Sequence, residues 1–437
     1  MYNYMLEQAA DVSYGPAIYI PVLAMIAMII AAVPIWVVLG MGALGMLALT
    51  EVLPLSLFGE ALFDGIDAFA LIAIPLFILT GDVLVRTGLS NKLLDVAEAT
   101  AGSAKSGLGT STVLGCGFFA CISGSDAAGA AAVGRMTIHR LVERGYPKGY
   151  ACALVAAGSC TGILIPPSIA YIIIGLILGI SASTLFLAAA IPGLLIMATI
   201  MLTNVVLNAI NGYEDSKTGF SMKRWLTALW DGRYALMIPF IILGGIYSGM
   251  FTPTEAAGVA VIVGLGIGFM QKTISWRDFP KMLLSSAKIN GMILPIIAMS
   301  LPLAQTLAVL EIPQTFVAVM TELTDDPTML LLIIIGILIL AGCVMETTPN
   351  IVVLSPILLP LARSIGMDDI HFCIVMVSAL GVGFITPPLG LNLFVVSGVS
   401  GTPVLEVAKY ALPYVLSMLA TVLLLAFVPE LSLWALS

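Results

Sequence analysis

The stretch Thr161-Gly-Ile-Leu-Ile-Pro-Pro-Ser168 sits inside an apolar run at 148–178, and Gly383-Phe-Ile-Thr-Pro-Pro-Leu-Gly390 sits inside another at 369–396. Each run is long enough to cross hydrocarbon as a helix, which takes about 20 residues. Consecutive prolines, however, remove two N–H donors and push the preceding residue out of the helical region. Both runs are therefore expected to be helices broken near their middles, with exposed carbonyls. Non-helical backbone at membrane depth persists only where it is buried in protein or lines a cavity. One such motif is as well explained by a structural kink. Two, at matching places in the two halves of a chain, point to a transporter binding site.

Composition agrees. The chain has 437 residues, 60% hydrophobic and 10% charged, with a mean hydropathy of +1.11, far from the about 25% charged residues of soluble proteins. Runs such as Ile20 to Leu49, Leu71 to Leu84, Leu331 to Val344 and Leu412 to Val428 imply many spans rather than one anchor. Crossings are expected near 18–33, 35–51, 69–86, 148–178, 183–209, 234–250, 255–271, 291–310, 369–396 and 409–428. Two further apolar stretches, 107–142 and 329–363, are interrupted by Ser123-Gly-Ser-Asp126 and Glu346-Thr-Thr-Pro-Asn350. Each half of these is shorter than a comfortable span, so they read as re-entrant hairpins whose tips stop inside the membrane. The expectation is an all-α polytopic membrane protein of about ten spans plus two re-entrant hairpins. Met1 to Gly15 carries Glu7 and Asp11 but no Lys or Arg, so it lacks the basic start of a signal peptide and is read as mature sequence.

Lys and Arg accumulate on cytoplasmic loops. With the N-terminus periplasmic, Arg86, Lys92, Lys105, Arg135, Arg140, Arg144, Lys148, Lys217, Lys223, Arg224, Arg233, Lys272, Arg277, Lys281, Lys288 and Lys409 all fall on the cytoplasmic side, and Arg363 alone does not. The C-terminus is then periplasmic too. An offset of 221 residues aligns Gly145 with Gly366, Cys152 with Cys373, Gly162 with Gly383 and both Pro-Pro pairs. Five crossings per half invert the second half, giving an inverted repeat: 1–210, a cytoplasmic linker at 211–233, and 234–437.

At the first tip, Ser125 and Asp126 would sit at membrane depth, where an ionisable group is costly without a role. Glycine and alanine there also suit plain close helix packing. A broken tip leaves carbonyls, which suit a cation, and N–H groups, which suit an anion. Gly249-Met-Phe-Thr-Pro-Thr-Glu-Ala-Ala-Gly258 reads as a turn and helix start, capped by Thr252 or Thr254 with Glu255 in the first turn. Segments 89–104 and 276–290 read as helices along the cytoplasmic interface. The six cysteines form no C-x-x-C pair and read as packing residues, and the two histidines, His139 and His371, exclude an H-E-x-x-H site. No G-x-x-x-x-G-K-[ST] loop is present, so the chain does not itself hydrolyse ATP. No nucleophile and base pair marks it as an enzyme, and no nucleic acid partner is expected.

Ala73-Ile-Pro-Leu-Phe77, Ile122-Ser-Gly-Ser125, Gly145-Tyr146, Gly162-Ile-Leu-Ile-Pro-Pro-Ser168, Phe251-Thr-Pro-Thr-Glu-Ala-Ala257 and Ile385-Thr-Pro-Pro-Leu-Gly390 together resemble the large membrane subunit of the tripartite ATP-independent periplasmic (TRAP) transporters, over essentially the whole chain. The resemblance implies an elevator-type, sodium-coupled importer in the bacterial inner membrane. It would work with a small four-helix membrane subunit and a periplasmic solute-binding protein that delivers a small organic anion, a carboxylate or sulfonate. It also implies one Na+ site at Ser123 and Gly124 with Gly162 to Pro166, and another at Glu346 and Thr347 with Gly383 to Thr386. The substrate would lie near Ser125, Asp126, Thr348, Pro349, Asn350 and Asn392. The family more often has serine where this chain has Asp126. A proton- or sodium-coupled organic-anion permease without a binding protein meets the same residue pattern, with Asp126 and Glu346 as proton carriers. A membrane scaffold would leave the polar tips and broken helices without a purpose.

Overall fold

The computed structural model describes residues 15–102, 106–214 and 221–436. Lys105 and Lys217 of the charge argument, and the opening Glu7 and Asp11, lie outside the described residues. All regular elements among the described residues are helical. Six helices are long and apolar enough to cross a membrane by themselves, and two bent pairs raise the count to eight.

Helices Gly15–Ile30 and Ile35–Thr50 pack as a pair. Ser56–Ile66, a 3-10 turn Phe69–Ile72 and Ala73–Thr87 follow, then Leu89–Ala101. The first hairpin is Gly107–Ser123 with Asp126–Glu143. The first broken helix is Lys148–Ser159, Thr161–Leu164 and Ile169–Leu178, and Ala182–Asn211 comes after it. Met222–Asp231 meets Arg233–Tyr247 at 70°. Pro253–Met270, Phe279–Val309 and Ile312–Leu323 then lead to the second hairpin, Pro327–Val344 with Thr347–Ser364. The second broken helix is Asp369–Gly383 with Leu391–Ser400, and Val404–Phe427 packs beside Ala182–Asn211. Limbs Asp126–Glu143 and Thr347–Ser364 start and end 221 residues apart.

The sequence places a separate interfacial helix at 276–290 and a span at 291–310. The structure instead has one continuous helix of 31 residues, Phe279–Val309, about 46 Å long at 1.5 Å per residue. The boundary between those two segments falls at Asn290-Gly291, but Asn290 donates back to Ser286 O at 3.0 Å and stays within the helix. A single interior glycine costs only about 1 kcal/mol. Pro280 falls in the first turn, where its missing N–H is an orphan anyway. The short helices Ser56–Ile66 and Ile312–Leu323 were not anticipated. Thr252 is confirmed as the cap of Pro253–Met270, in a reciprocal capping box with Glu255.

Residues 149–175 and 371–385 of the broken helices form the most buried part of the molecule, and they cross where the Cys160 thiol donates to Gly381 O at 3.2 Å. Outside this centre, Phe279–Val309 packs on Ile35–Thr50, Ser56–Ile66 and Ala73–Thr87, and Pro253–Met270 packs on Ala73–Thr87.

Candidate functional site

Gly124 turns the first hairpin. Its φ of +59° lies in the left-handed region that glycine adopts without strain, so one helix ends at Ser123 and the next begins after Ser125. Ser125 Oγ accepts from Ala128 N at 3.4 Å, satisfying one free N–H of the new helix, and Ser123 Oγ donates to Ser125 O at 3.4 Å. The tip docks backbone to backbone on the first break. Gly124 O accepts from Ile169 N at 3.3 Å, and a Cβ on Gly124 would stand 2.9 Å from Pro167 O. Gly162 approaches from the break: a Cβ there would stand 2.7 Å from Asp126 N and from Ser125 C and O. Ser123, Gly124, Ser125, Asp126 and Gly162 are thus brought together. Pro166 and Pro167 deprive the Gly162 and Ile163 carbonyls of their helical donors. Ile163 O accepts from the Ser168 hydroxyl at 2.7 Å instead.

The second tip repeats the device. Met345 and Glu346 are extended, with Glu346 at the residue just before Thr347–Ser364, its side chain making no capping hydrogen bond. A Cβ on Gly383 would stand 2.6 Å from Gly342 Cα, and Cys343 O accepts from Leu389 N and Gly390 N, both at 3.2 Å. Pro387 removes the helical donor of Gly383 O, which accepts from Thr386 N at 3.0 Å. The Thr386 hydroxyl donates to Val382 O at 2.7 Å. Thr347, Thr348, Pro349 and Asn350 are buried, whereas Glu346 is exposed. Glu346 borders a cavity of about 200 Å³ with Gly342, Met345, Leu389, Leu391 and Phe394. Asn350 Nδ2 donates to Ala341 O at 3.2 Å and Met345 O at 2.9 Å, tying the two limbs together.

The halves interlock. Asp126–Glu143 packs on Leu391–Ser400, and Thr347–Ser364 packs on Ile169–Leu178. Asn392 of the second half thereby reaches the first, its Nδ2 lying 3.4 Å from Ala156 O and 3.5 Å from Cys160 Sγ. Asp126 Oδ2, Asn350 Oδ1 and Asn392 Oδ1 are buried without a hydrogen-bond partner in the protein. No ion pair among the described residues includes Asp126 or Glu346. No cluster of three or more His, Cys, Asp or Glu able to hold a metal occurs among the described residues. What the tips offer is oxygen: carbonyl, hydroxyl, carboxamide and carboxylate, the donors of hard cations.

Residues 22–431 match the family described as tripartite ATP-independent periplasmic transporter, DctM component. The chain belongs to this family. The isethionate TRAP transporter permease protein DctMQ of Oleidesulfovibrio alaskensis is 37% identical over 93% of this chain and 64% of its own length, so the chain spans less than two thirds of that relative. The C4-dicarboxylate TRAP transporter large permease protein DctM of Pseudomonas aeruginosa is 37% identical over 85% of this chain and 87% of its own. The 2,3-diketo-L-gulonate TRAP transporter large permease protein YiaN of Escherichia coli is 32% identical over 91% and 93%. Among solved structures, the YdaH transporter of Alcanivorax borkumensis superposes with a TM-score of 0.62 over 94% of this chain and 98% of its own. At 14% identity this likeness speaks to the fold alone. These relatives are permeases, not enzymes.

The TRAP permease chain also holds a buried polar network that sequence reasoning missed. The Glu214 carboxylate accepts from Leu108 N at 3.1 Å and from the Tyr146 hydroxyl at 2.9 Å. Asn208 exchanges two bonds with the Glu214 backbone. Tyr414 donates to the Tyr150 hydroxyl at 2.7 Å, and Tyr150 to Asn204 Oδ1 at 3.0 Å. This network anchors the base of the first hairpin to the broken helix, to Ala182–Asn211 and to Val404–Phe427. The available signal was Asn204 and Asn208, four residues apart on an apolar helix and followed by an acid.

Proposed function

We propose that this chain is the permease of a secondary transporter that imports a small organic anion, a carboxylate or sulfonate, into the cell. Transport is coupled to sodium and proceeds by an elevator movement. A periplasmic solute-binding protein delivers the substrate, and a small four-helix membrane subunit completes the assembly in the bacterial inner membrane. Both termini face the periplasm. Residues 1–210 and 234–437 form two inverted halves about the linker 211–233. The relatives' names, with isethionate, C4-dicarboxylates and 2,3-diketo-L-gulonate among them, support the substrate class.

One observation carries the reading: in a chain of the DctM family, two hairpin tips dock on two Pro-Pro breaks around buried acceptors that lack partners. Ser123, Gly124, Gly162 and Pro166 would hold one Na+, and Glu346, Thr347, Gly383 and Thr386 the other. At both places hydroxyls and carbonyls with proline-deleted helical donors supply only hard oxygen ligands. Sodium, when bound, supplies positive charge beside the tips. Ser125, Asp126, Thr348, Pro349, Asn350 and Asn392 form the substrate site, where the N–H groups opening Asp126–Glu143 and Thr347–Ser364 face an anion.

The test is uptake of labelled candidate anions by proteoliposomes holding this chain and its small subunit, with and without the binding protein. Uptake that needs both an inward sodium gradient and the binding protein supports the reading. Uptake driven by a proton gradient alone, without the binding protein, refutes it.

A further inference from the structure

Three buried side-chain acceptors, two at the tips and one after the second break, are left without a partner in the protein: Asp126 Oδ2, Asn350 Oδ1 and Asn392 Oδ1. The two amides are oriented by their neighbours. Asn350 Nδ2 faces the carbonyls of Ala341 and Met345, and Asn392 Nδ2 faces that of Ala156, so each Oδ1 must point elsewhere. Asp126 is 4% exposed, and Asn350 and Asn392 are fully buried. A group that meets one of these oxygens therefore has to be a donor or a cation, since a second acceptor would be repelled.

Asp126 and Asn392 share one neighbourhood. Gly162 presses on the Ser125–Asp126 peptide. Cys160, two residues earlier in the same break, lies 3.5 Å from Asn392 Nδ2. The other carboxylate whose charge acts on Asp126 is Glu346 of the opposite tip. No Lys, Arg or His pairs with either one among the described residues. The start of helix Asp126–Glu143 favours an acid in its first turn, which explains the sign of the charge but gives Oδ2 no partner. An anionic substrate beside the Asp126 carboxylate, with which no cationic side chain pairs, meets repulsion that a further positive charge relieves.

We propose that Asp126 and Asn392 form a further subsite for a univalent cation, distinct from the two sodium positions above and adjacent to the substrate. This deepens the transport reading and rests on it for the identity of the neighbouring ligand. The cation has two possible sources, a coupling Na+ or an ammonium group on the substrate itself.

The experiment uses the chain with its small subunit and the variants Asp126→Asn, which keeps the shape and removes the charge, and Asp126→Ser, which guards against a folding defect of the first. Thermal stability is followed in NaCl against choline chloride. Uptake of 2-aminoethanesulfonate is compared with that of 2-hydroxyethanesulfonate. If Na+ is the source, both variants need roughly tenfold more NaCl for the same stabilisation. If an ammonium is the source, wild type prefers the amino compound by about tenfold or more and both variants lose that preference. Variants that keep both the wild-type NaCl response and the wild-type substrate preference overturn the subsite and leave Asp126 as a helix-start residue. Absence of sodium-driven uptake by wild type counts against the transport reading instead, because the NaCl stabilisation is read without transport.

Discussion

Gly162→Ala isolates the contact on which the first tip depends. The added Cβ would stand 2.7 Å from Asp126 N, Ser125 C and Ser125 O, where relaxed carbon contacts are about 3.5–4.0 Å. All three atoms belong to one peptide, so no side chain can rotate away and the backbone must separate by about 1 Å. Overpacking of this kind costs about 1–3 kcal/mol, a factor of about 5–150 in the docked population. The tip gives way before the core, because hydrogen bonds such as Gly124 O to Ile169 N tie it to the break, while residues 149–165 and 371–385 on the near sides of the two breaks are buried without interruption. Gly336→Ala is the control, since nothing lies within 4 Å of its Cβ and alanine gains up to about 1 kcal/mol in a helix. Thermal unfolding of the purified chain with and without about 0.15 M NaCl, followed by uptake in vesicles, reads both variants. Gly162→Ala should lose most of the sodium-dependent stabilisation and the uptake, whereas Gly336→Ala should match wild type. A Gly162→Ala protein with the wild-type sodium response would show that the close approach is not part of the site.

Three other outcomes are expected. Glu346→Ala weakens the sodium dependence of uptake more than it lowers the unfolding temperature, and unchanged sodium dependence in reconstituted vesicles refutes the role given to that carboxylate. Glu214→Ala strands the Leu108 N–H and the Tyr146 hydroxyl at about 1–3 kcal/mol for each buried group left unsatisfied. Thermal unfolding should show a large loss, with Glu214→Gln in between because it keeps one acceptor. Asp278, at the start of Phe279–Val309, accepts from the Ser275 hydroxyl and N–H, which hold its carboxyl below the usual carboxylate range. That interaction is fully present above the ordinary aspartate value of about 3.9 and is lost as pH falls through the lowered one. Amide exchange at Ser275 followed downward in pH should show the loss, and Asp278→Asn should abolish the pH dependence.

Much of the architecture was legible because its breaks are covalent. Proline at 166, 167, 387 and 388 lacks an N–H wherever the chain goes, and glycine at 124 accepts a turn that other residues resist. The helix across Asn290-Gly291 was misread because weak local breakers compete with packing on Ile35–Thr50 and Ser56–Ile66, and packing wins. The long-range bonds of the Glu214 network are hidden for a different reason. Leu108 and Glu214 are 106 residues apart, and no local period encodes a bond of that reach. At the tips the sequence named the residues, but not that Asp126, Asn350 and Asn392 each keep an acceptor unpartnered, which is decided by where the neighbouring carbonyls lie.

The way the tips are attached bears on coupling. Burying a leucine-sized side chain contributes about 1.5–3 kcal/mol, and the broken helices bury many. A tip meets its break through glycine backbone and one or two amide hydrogen bonds, each worth about 0.5–1.5 kcal/mol net. The tips are thus the weak joint in a tightly packed centre, and ligands of modest affinity can decide whether they are docked. Moving such a joint from mostly open to mostly closed, 1:99 to 99:1, takes about 5.5 kcal/mol. A site filled at about a hundred times its dissociation constant contributes about 2.7 kcal/mol, so with the two sodium positions proposed above one ion would leave the joint near the middle of its range and two would complete the shift. On the function proposed here, the substrate site is fully assembled only when both halves carry their ion, and a tip that docks with one ion alone would transport without strict coupling.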